Sequence, residues 1–469
     1  MSVDYNTIKG QLEACGQQHL LKCYDDLESS SQSTFLDQLS RIPWDSIPSL
    51  VEQYLNAQSC SLPRGDVAPA EVTIADPETA AELASRGEEI IRAGRVAAFT
   101  VAGGQGTRLG WTGPKGTYPA TPVSGKPLFR VFAEQIEAAS RRWDTPIRWY
   151  IMTSEANDAA TRSFFADNNW FGLPRTQIML FPQGMMPCLD ASDGKVLMES
   201  PGCVAMSPDG HGGSLGALRR SGAIEQMEML GIDTISYFQI DNPIAPVIDP
   251  VFIGLHADPE RSSGEMSSKM VPKIRPDEKV GVFCTVGGHT EVIEYSDLPS
   301  SLQSETDAEG RLRYDAGNIA VHLLSVPFAK RLSEQNELPW HRAVKKVPCC
   351  DPTTGQELIP EEPNGIKLEQ FIFDALPLAG RSATLEVARS REFAPIKNAT
   401  GTDSPESCRQ AQCDLYGQWL EDNGVVVERD ADGHVLASIE ISPLTAMHSG
   451  DLAGQELPAR LDQGDRLVL

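Results

Sequence analysis

Val96–Val101 (VAAFTV) is an almost unbroken apolar run that stops at Ala102 and a pair of glycines. A run this short, without polar alternation, predicts a strand buried on both faces. Ile147–Met152, Gln177–Phe181 and Ile235–Ile240 have the same character. Between them the period lengthens. Leu128, Val131, Phe132 and Ile136 predict a helix over Leu128–Arg142, and a second is predicted near Asn157–Asp167. Strands that alternate with helices predict an α/β fold. Its sheet should be mostly parallel and Rossmann-like, with helices on both faces. Ligands of such sheets gather at the carboxyl ends of the strands.

The flanks differ. Ile8, Leu12, Leu20, Leu21, Leu27, Phe35, Leu36 and Leu39 predict helices within residues 1–60. Residues 61–78 carry three prolines and predict a connecting arm, followed by a helix over Thr79–Ala93. Val280–Val286 and Thr290–Tyr295 predict a hairpin around Gly287-Gly288. The polar stretch 398–414 breaks the pattern. A helix over Ala411–Asp422 and strands at Gly424–Glu428 and Val435–Ile441 are expected after it. The organisation is therefore a helical region with linker (1–93), a central domain (94–397) and a small C-terminal α+β unit (398–469).

Composition narrows the function classes. Hydrophobic residues make up 41% of the 469 and charged residues 22%, enough apolar surface for a folded core. Against 40 Lys and Arg stand 65 Asp and Glu, a net charge of −25. That balance argues against nucleic acid or an anionic membrane surface as partner. An anionic small molecule would need locally placed cations and N–H groups. No apolar run approaches a membrane span, and no secretory leader is recognisable. The ten cysteines show no CxxC spacing, and reduced thiols in the cytoplasm are expected.

Candidate chemistry begins where the first buried strand ends, at VAGGQGTRLGWTGPKG (Val101–Gly116). Glycines after a strand let backbone N–H groups approach a phosphate closely. Arg108 adds a permanently charged fork, and Lys115, seven residues on, a compact charge. A P-loop does not fit, because Pro127 follows Gly125-Lys126. A dinucleotide fingerprint does not fit either, because Leu109 stands where the third glycine belongs.

These residues resemble the signature of the eukaryotic-type UDP-sugar pyrophosphorylases, nucleotidyltransferases that include UDP-N-acetylglucosamine and UDP-glucose pyrophosphorylases. Further blocks follow in that family's order: QGMMP (Gln183–Pro187), SPDGHGG (Ser207–Gly213), IDNP (Ile240–Pro243), EYSDL (Glu294–Leu298), AGNIAVH (Ala316–His322), PNGIKLEQFIFD (Pro363–Asp374), FAPIKNA (Phe393–Ala399) and EISPL (Glu440–Leu444). QGMMP, GNIAxH, NGIK and EISPL are most similar to the N-acetylglucosamine branch.

The resemblance implies a uridylyltransferase that joins UTP to a sugar-1-phosphate and releases pyrophosphate. It implies catalytic roles for Arg108, Lys115 and Lys397 toward the phosphates. It places UTP against Val101, Ala102, Gly103 and Gly104, with Lys115, Asp241, Lys367 and Lys397 on the phosphate side. Gln183 and Gly210 would read the uracil edge. His211, Glu294, Tyr295, Asn318, Phe371 and Phe373 would line the sugar, the two phenylalanines sharing one face of a strand. Asp241 is the expected Mg²⁺ ligand and Asn242 its support, since Mg²⁺ takes one or two carboxylates plus phosphate oxygens and water. His211 departs from the acetylglucosamine pattern, which has Asn there, and is similar to the UDP-glucose branch. N-acetylglucosamine-1-phosphate is the first acceptor expected. Glucose-1-phosphate or a broader range is the alternative, and an inactive nucleotide-sugar-binding regulator an alternative of another class. A dinucleotide oxidoreductase, reading the loop as GxGxxxG, is disfavoured by the downstream blocks.

Overall fold

The computed structural model describes residues 4–55 and 66–469. Positions 56–65, with Cys60 and the start of the connecting arm, lie outside the described residues. The chain divides into two compact units, each made from three stretches. One comprises Met1–Ser61, Gly184–Ser214 and Leu338–Ile372; the other comprises Leu62–Gln183, Leu215–Glu337 and Phe373–Leu469.

In the first unit α1 (Tyr5–Ala14) carries Ile8 and Leu12 of the apolar spacing noted above and α2 (Ser29–Ser40) carries Phe35, Leu36 and Leu39, while α3 (Ile47–Tyr54) follows them. Ile8, Leu12, Phe35, Leu36 and Leu39 are buried with Met198, Val204, Ile366 and Leu368, which lie on short strands far along the chain. Burying each such side chain is worth about 1.5–3 kcal/mol, which draws the distant strands under the helices. The linear division at 93 and 397 thus meets a chain whose compact units interleave.

The second unit is built on a ten-stranded sheet among the described residues. Its strands are β1 (Val67–Pro69), β2 (Val96–Val101), β3 (Arg148–Thr153), β4 (Ile178–Pro182), β5 (Thr234–Gln239), β6 (Met266–Pro272), β7 (Val282–Val286), β8 (His289–Ile293), β9 (Ala316–Ser325) and β10 (Ala383–Glu386). The order is β1-β7-β9-β5-β2-β3-β4, with β8 beside β7 and β6 beside β9 and β10. The neighbours β5, β2, β3 and β4 run parallel, as do β6 and β10. Antiparallel pairs extend the sheet beyond β5, including the expected β7–β8 hairpin.

Crossover helices cover the parallel part. Asp76 accepts the Thr79 N–H at 2.8 Å and starts α4 (Pro77–Arg92), with Pro77 fitting the first turn. The stripe on α5 (Leu128–Arg142) is buried, and Phe132 packs on Phe238 of β5 with ring centroids 5.0 Å apart. α6 (Asp158–Asp167) sends Phe165 against Phe129, 4.9 Å between centroids.

The C-terminal helix α7 (Pro405–Asp422) begins six residues before the position expected at Ala411. Ser404 and Ser407 form a capping box and Pro405 opens the first turn, so part of the polar stretch is helix. Leu420, Val435, Ile439, Ile441 and Leu461 bury a core beneath it. The two strands there are shorter than expected, Val426–Val427 and Ser438–Glu440.

Candidate active site

β2 delivers the glycine-rich loop at its carboxyl end. The Ala102 N–H still bonds the Met152 carbonyl at 2.8 Å. Among the described residues, the Gly103 and Gly104 N–H groups carry no hydrogen bond, which leaves two donors for a ligand. Beyond them the chain folds back: Gly106 N–H reaches the Gly113 carbonyl and Lys115 N–H the Gly104 carbonyl, each at 3.0 Å. Gly113 turns the chain at φ +123°, where a side chain would be strained. The fold-back sets Lys115 beside Gly104. Arg108 stays exposed on the short turn Thr107–Leu109, with no ion pair among the described residues.

The Lys115 ammonium lies 3.0 Å from Oδ2 of Asp241, which follows β5 by two residues. Burial alone would raise the Asp241 carboxyl. Lys115 and Lys397, with the Lys115 hydrogen bond, hold it below the usual carboxylate range. Lys397 arrives through a tethered segment: Ile396 N–H donates to the Asp241 carbonyl at 2.8 Å. Asn242 pins the same segment, donating to the Glu392 carbonyl (2.7 Å) and accepting from Ala394 N–H (3.0 Å). Two cations and one carboxylate thus converge at the end of the sheet.

Gln183 follows β4 and its N–H bonds the Thr153 carbonyl at 2.9 Å. A Cβ on Gly103 would come within 2.7 Å of its Oε1, so the amide stands directly over the glycine. Glu294 and Asn318 are drawn together across Gly281. Its carbonyl accepts Asn318 N–H at 2.8 Å, and a Cβ on it would lie 3.1 Å from Glu294 Oε1. Asn318 Oδ1 is occupied by the Ala320 N–H (2.8 Å), which leaves the amide NH₂ as its outward group. Tyr295 is exposed and Phe373 buried.

Gly210, His211, Lys367 and Phe371 belong to the first unit. Gly210 has φ +82°, and a Cβ there would strike the Gln370 carbonyl at 2.5 Å. His211 stacks on Phe371 (5.2 Å between centroids), which stacks on His341 (4.3 Å). Burial, then His341, push the His211 imidazole down to about 4. Its Nδ1 accepts the Ile372 N–H at 3.1 Å, so the ring is neutral with its proton on Nε2. The expectation that Phe371 and Phe373 share a strand face is corrected: the strand ends at Glu369, and Ile372–Leu378 is a tight helical turn. Lys367 lies on that strand, Gly365–Glu369, opposite Ala343.

The family model described as UTP–glucose-1-phosphate uridylyltransferase matches residues 45–404. The chain belongs to this uridylyltransferase family. It is 37% identical to UDP-N-acetylglucosamine pyrophosphorylase of Saccharomyces cerevisiae, over 88% of this chain and 90% of that one. Two solved structures are similar. One is a putative UDP-N-acetylglucosamine pyrophosphorylase from Entamoeba histolytica, 32% identical with TM-score 0.73, spanning 86% of this chain and 99% of that one. The other is the uridine diphosphate N-acetylglucosamine pyrophosphorylase of Trypanosoma brucei, 25% identical with TM-score 0.81 over 97% of each chain.

The structure also places around these segments residues that the sequence did not single out. Asn157 ties the glycine loop to β3, donating to the carbonyls of Ala102 (3.0 Å) and Gly104 (3.3 Å). Its Oδ1 accepts the Ser154 N–H. Lys269, fully buried, pairs with Asp249 and Glu392 at 2.6 Å each and so anchors the segment that carries Lys397. An Asn at a strand end and a lone Lys within a strand give no local signal; each acts through a partner remote in sequence. His341 was missed for the same reason. No group of three or more His, Cys, Asp or Glu able to hold a metal occurs among the described residues. One carboxylate beside two lysines suits an ion that takes most of its ligands from phosphates and water.

Proposed function

We propose that this uridylyltransferase joins UTP and N-acetylglucosamine-1-phosphate into the UDP-sugar, with pyrophosphate as the second product. The observation that carries the reading is the convergence of Lys115, Asp241 and Lys397 beside the open N–H groups of Gly103 and Gly104. It occurs in a chain 37% identical to a named UDP-N-acetylglucosamine pyrophosphorylase. A phosphate oxygen of the sugar attacks the α-phosphorus of UTP in line. The bond from that phosphorus to the bridging oxygen breaks, and pyrophosphate departs with the electron pair. No protein nucleophile is required; the work is alignment and charge neutralisation. Lys115 and Lys397 offset the growing charge on the phosphates. Gly103 and Gly104 let the nucleotide lie against the backbone, and Gln183 above them meets the uracil edge with an amide that both donates and accepts. Asp241 would hold Mg²⁺, and the ion when bound would supply positive charge that offsets the charge on the phosphates.

No helix among the described residues is long and apolar enough to cross a membrane. Together with free thiols at the described cysteines, this supports a cytoplasmic setting. His211, at the position discussed above, favours glucose-1-phosphate as a second acceptor. A panel of sugar-1-phosphates with UTP and Mg²⁺, scored by pyrophosphate release, decides. N-acetylglucosamine-1-phosphate should give the highest kcat/KM; absence of release with every sugar would reject uridylyl transfer.

A further inference from the structure

The C-terminal segment grips the loop that follows Lys115. From this geometry, and resting on the uridylyl-transfer reading above, we propose that Glu440 is a positioning residue for Lys115. Glu440 ends the strand Ser438–Glu440 and is 2% exposed. Its Oε2 accepts the N–H groups of Val123 (3.1 Å) and Ser124 (2.7 Å), and its Oε1 accepts the Ser124 hydroxyl. Burial would raise this carboxyl, but the Ser124 hydroxyl and N–H, Thr121 and the Val123 N–H hold it below its ordinary value. It is therefore an anion at neutral pH, and hydrogen bonds to an anion are the strong ones.

The Lys126 ammonium sits 2.9 Å from Glu134 and 3.8 Å from Glu440. This accounts for the Gly125-Lys126 pair, which falls short of a P-loop: the lysine faces two buried carboxylates. Glu134, on α5, also accepts from Arg130 (2.7 Å) and from the Ser442 hydroxyl (2.8 Å). Three more C-terminal side chains hold the loop by its carbonyls. Arg409 reaches Pro119 (2.7 Å), Gln412 reaches Ala120 (3.0 Å) and Arg466 reaches Val123 (3.1 Å).

A backbone relay completes the path. Ala120 N–H bonds the Lys126 carbonyl (2.9 Å) and Leu128 N–H the Tyr118 carbonyl (3.1 Å), closing the loop at its neck. Tyr118 N–H bonds the Lys115 carbonyl at 3.0 Å, within the turn Lys115–Thr117. Freeing the loop removes the footing on which Lys115 reaches Asp241.

The test is a double-mutant cycle. Glu440→Gln keeps the volume but loses the charge and turns an amide toward backbone donors. Steady-state kinetics and amide hydrogen exchange are measured for wild type, Glu440→Gln, Lys115→Ala and the pair. Misplacing a catalytic group from a distance can cost about 10²-fold, so kcat should fall on that order in Glu440→Gln. Exchange across residues 118–126 should quicken. In the Lys115→Ala background the same change should cost less than about threefold, because contacts in one chain of action are not additive. An equal loss in both backgrounds overturns the proposal, as does unchanged exchange in residues 118–126. If Glu440→Gln does not fold, Ser124→Ala takes one donor from the same carboxylate and enters the same cycle. If wild type releases no pyrophosphate, the uridylyl-transfer reading fails. The exchange result then judges Glu440 by itself: lost protection supports its hold on the loop, and retained protection overturns it.

Discussion

Among the described residues Lys115 has one charged partner, Asp241, and that bond fixes where its ammonium points. Replacing Lys115 with Ala should lower kcat about 10²–10³-fold, the usual loss when one electrostatic stabiliser of a transferring group is removed. Circular dichroism should stay unchanged, because Lys115 lies outside the buried apolar cluster of the sheet. His211 tests a different property. Its imidazole titrates near 4 when folded, against 6.5 in a free chain. The unfolded state therefore takes up a proton first as pH falls. The stabilisation is complete above pH 6.5 and is lost progressively down to about pH 4. Between pH 6.5 and 5 this one ring should cost about 2 kcal/mol, at roughly 1.4 kcal/mol per pH unit. Urea unfolding at the two pH values checks this. His211→Gln should remove its share of the slope, while His256, also pushed down to about 4 by burial, keeps its own. His211→Asn should also shift the acceptor ratio toward the acetylated sugar by about two- to thirteenfold, the worth of one hydrogen bond.

In the proposed reaction, base recognition would turn on the strand-to-loop joint at Val101–Gly104. Gly103→Ala would press a methyl group against Gln183 Oε1, at 2.7 Å before relaxation. The amide is the end of a flexible side chain, so the fold should survive while the amide moves. The preference for UTP over ATP in kcat/KM should then drop roughly tenfold, the equivalent of one displaced hydrogen bond. This joint was legible because its signals are local: an apolar run, glycines, then cations. α5 was legible for the same reason, its buried stripe recurring every three or four positions. The start of α7 was not, because Ser404 and Pro405 sit in a polar stretch without apolar period. Phe371 and Phe373 alternate as a strand would, yet packing of the aromatic stack and the tight turn after it override that pattern.

At the scale of the molecule, what sequence reading missed are pairings between remote stretches. Lys269 meets Asp249 and Glu392, and Glu440 meets Ser124; none of these residues looks unusual beside its own neighbours. The metal is the test that engages the whole reaction. EDTA should abolish pyrophosphate release and Mg²⁺ restore it. Asp241→Asn should raise the Mg²⁺ concentration for half-activation and lower the maximal rate together. An unchanged Mg²⁺ titration would remove Asp241 from the metal. The interleaving of the two units carries a consequence for the order in which the protein is made. The first unit has all its stretches once Ile372 has left the ribosome, whereas the second still lacks the stretch Phe373–Leu469 at that point. Glu440 emerges only in that later stretch. A nascent chain stalled near residue 400 should already protect α1–α3 from protease and yet leave the loop at 119–126 open to it. Domains fold as their stretches become available during synthesis. On the proposed role of Glu440, a chain stopped between Ile372 and Glu440 should hold a folded first unit and release no pyrophosphate.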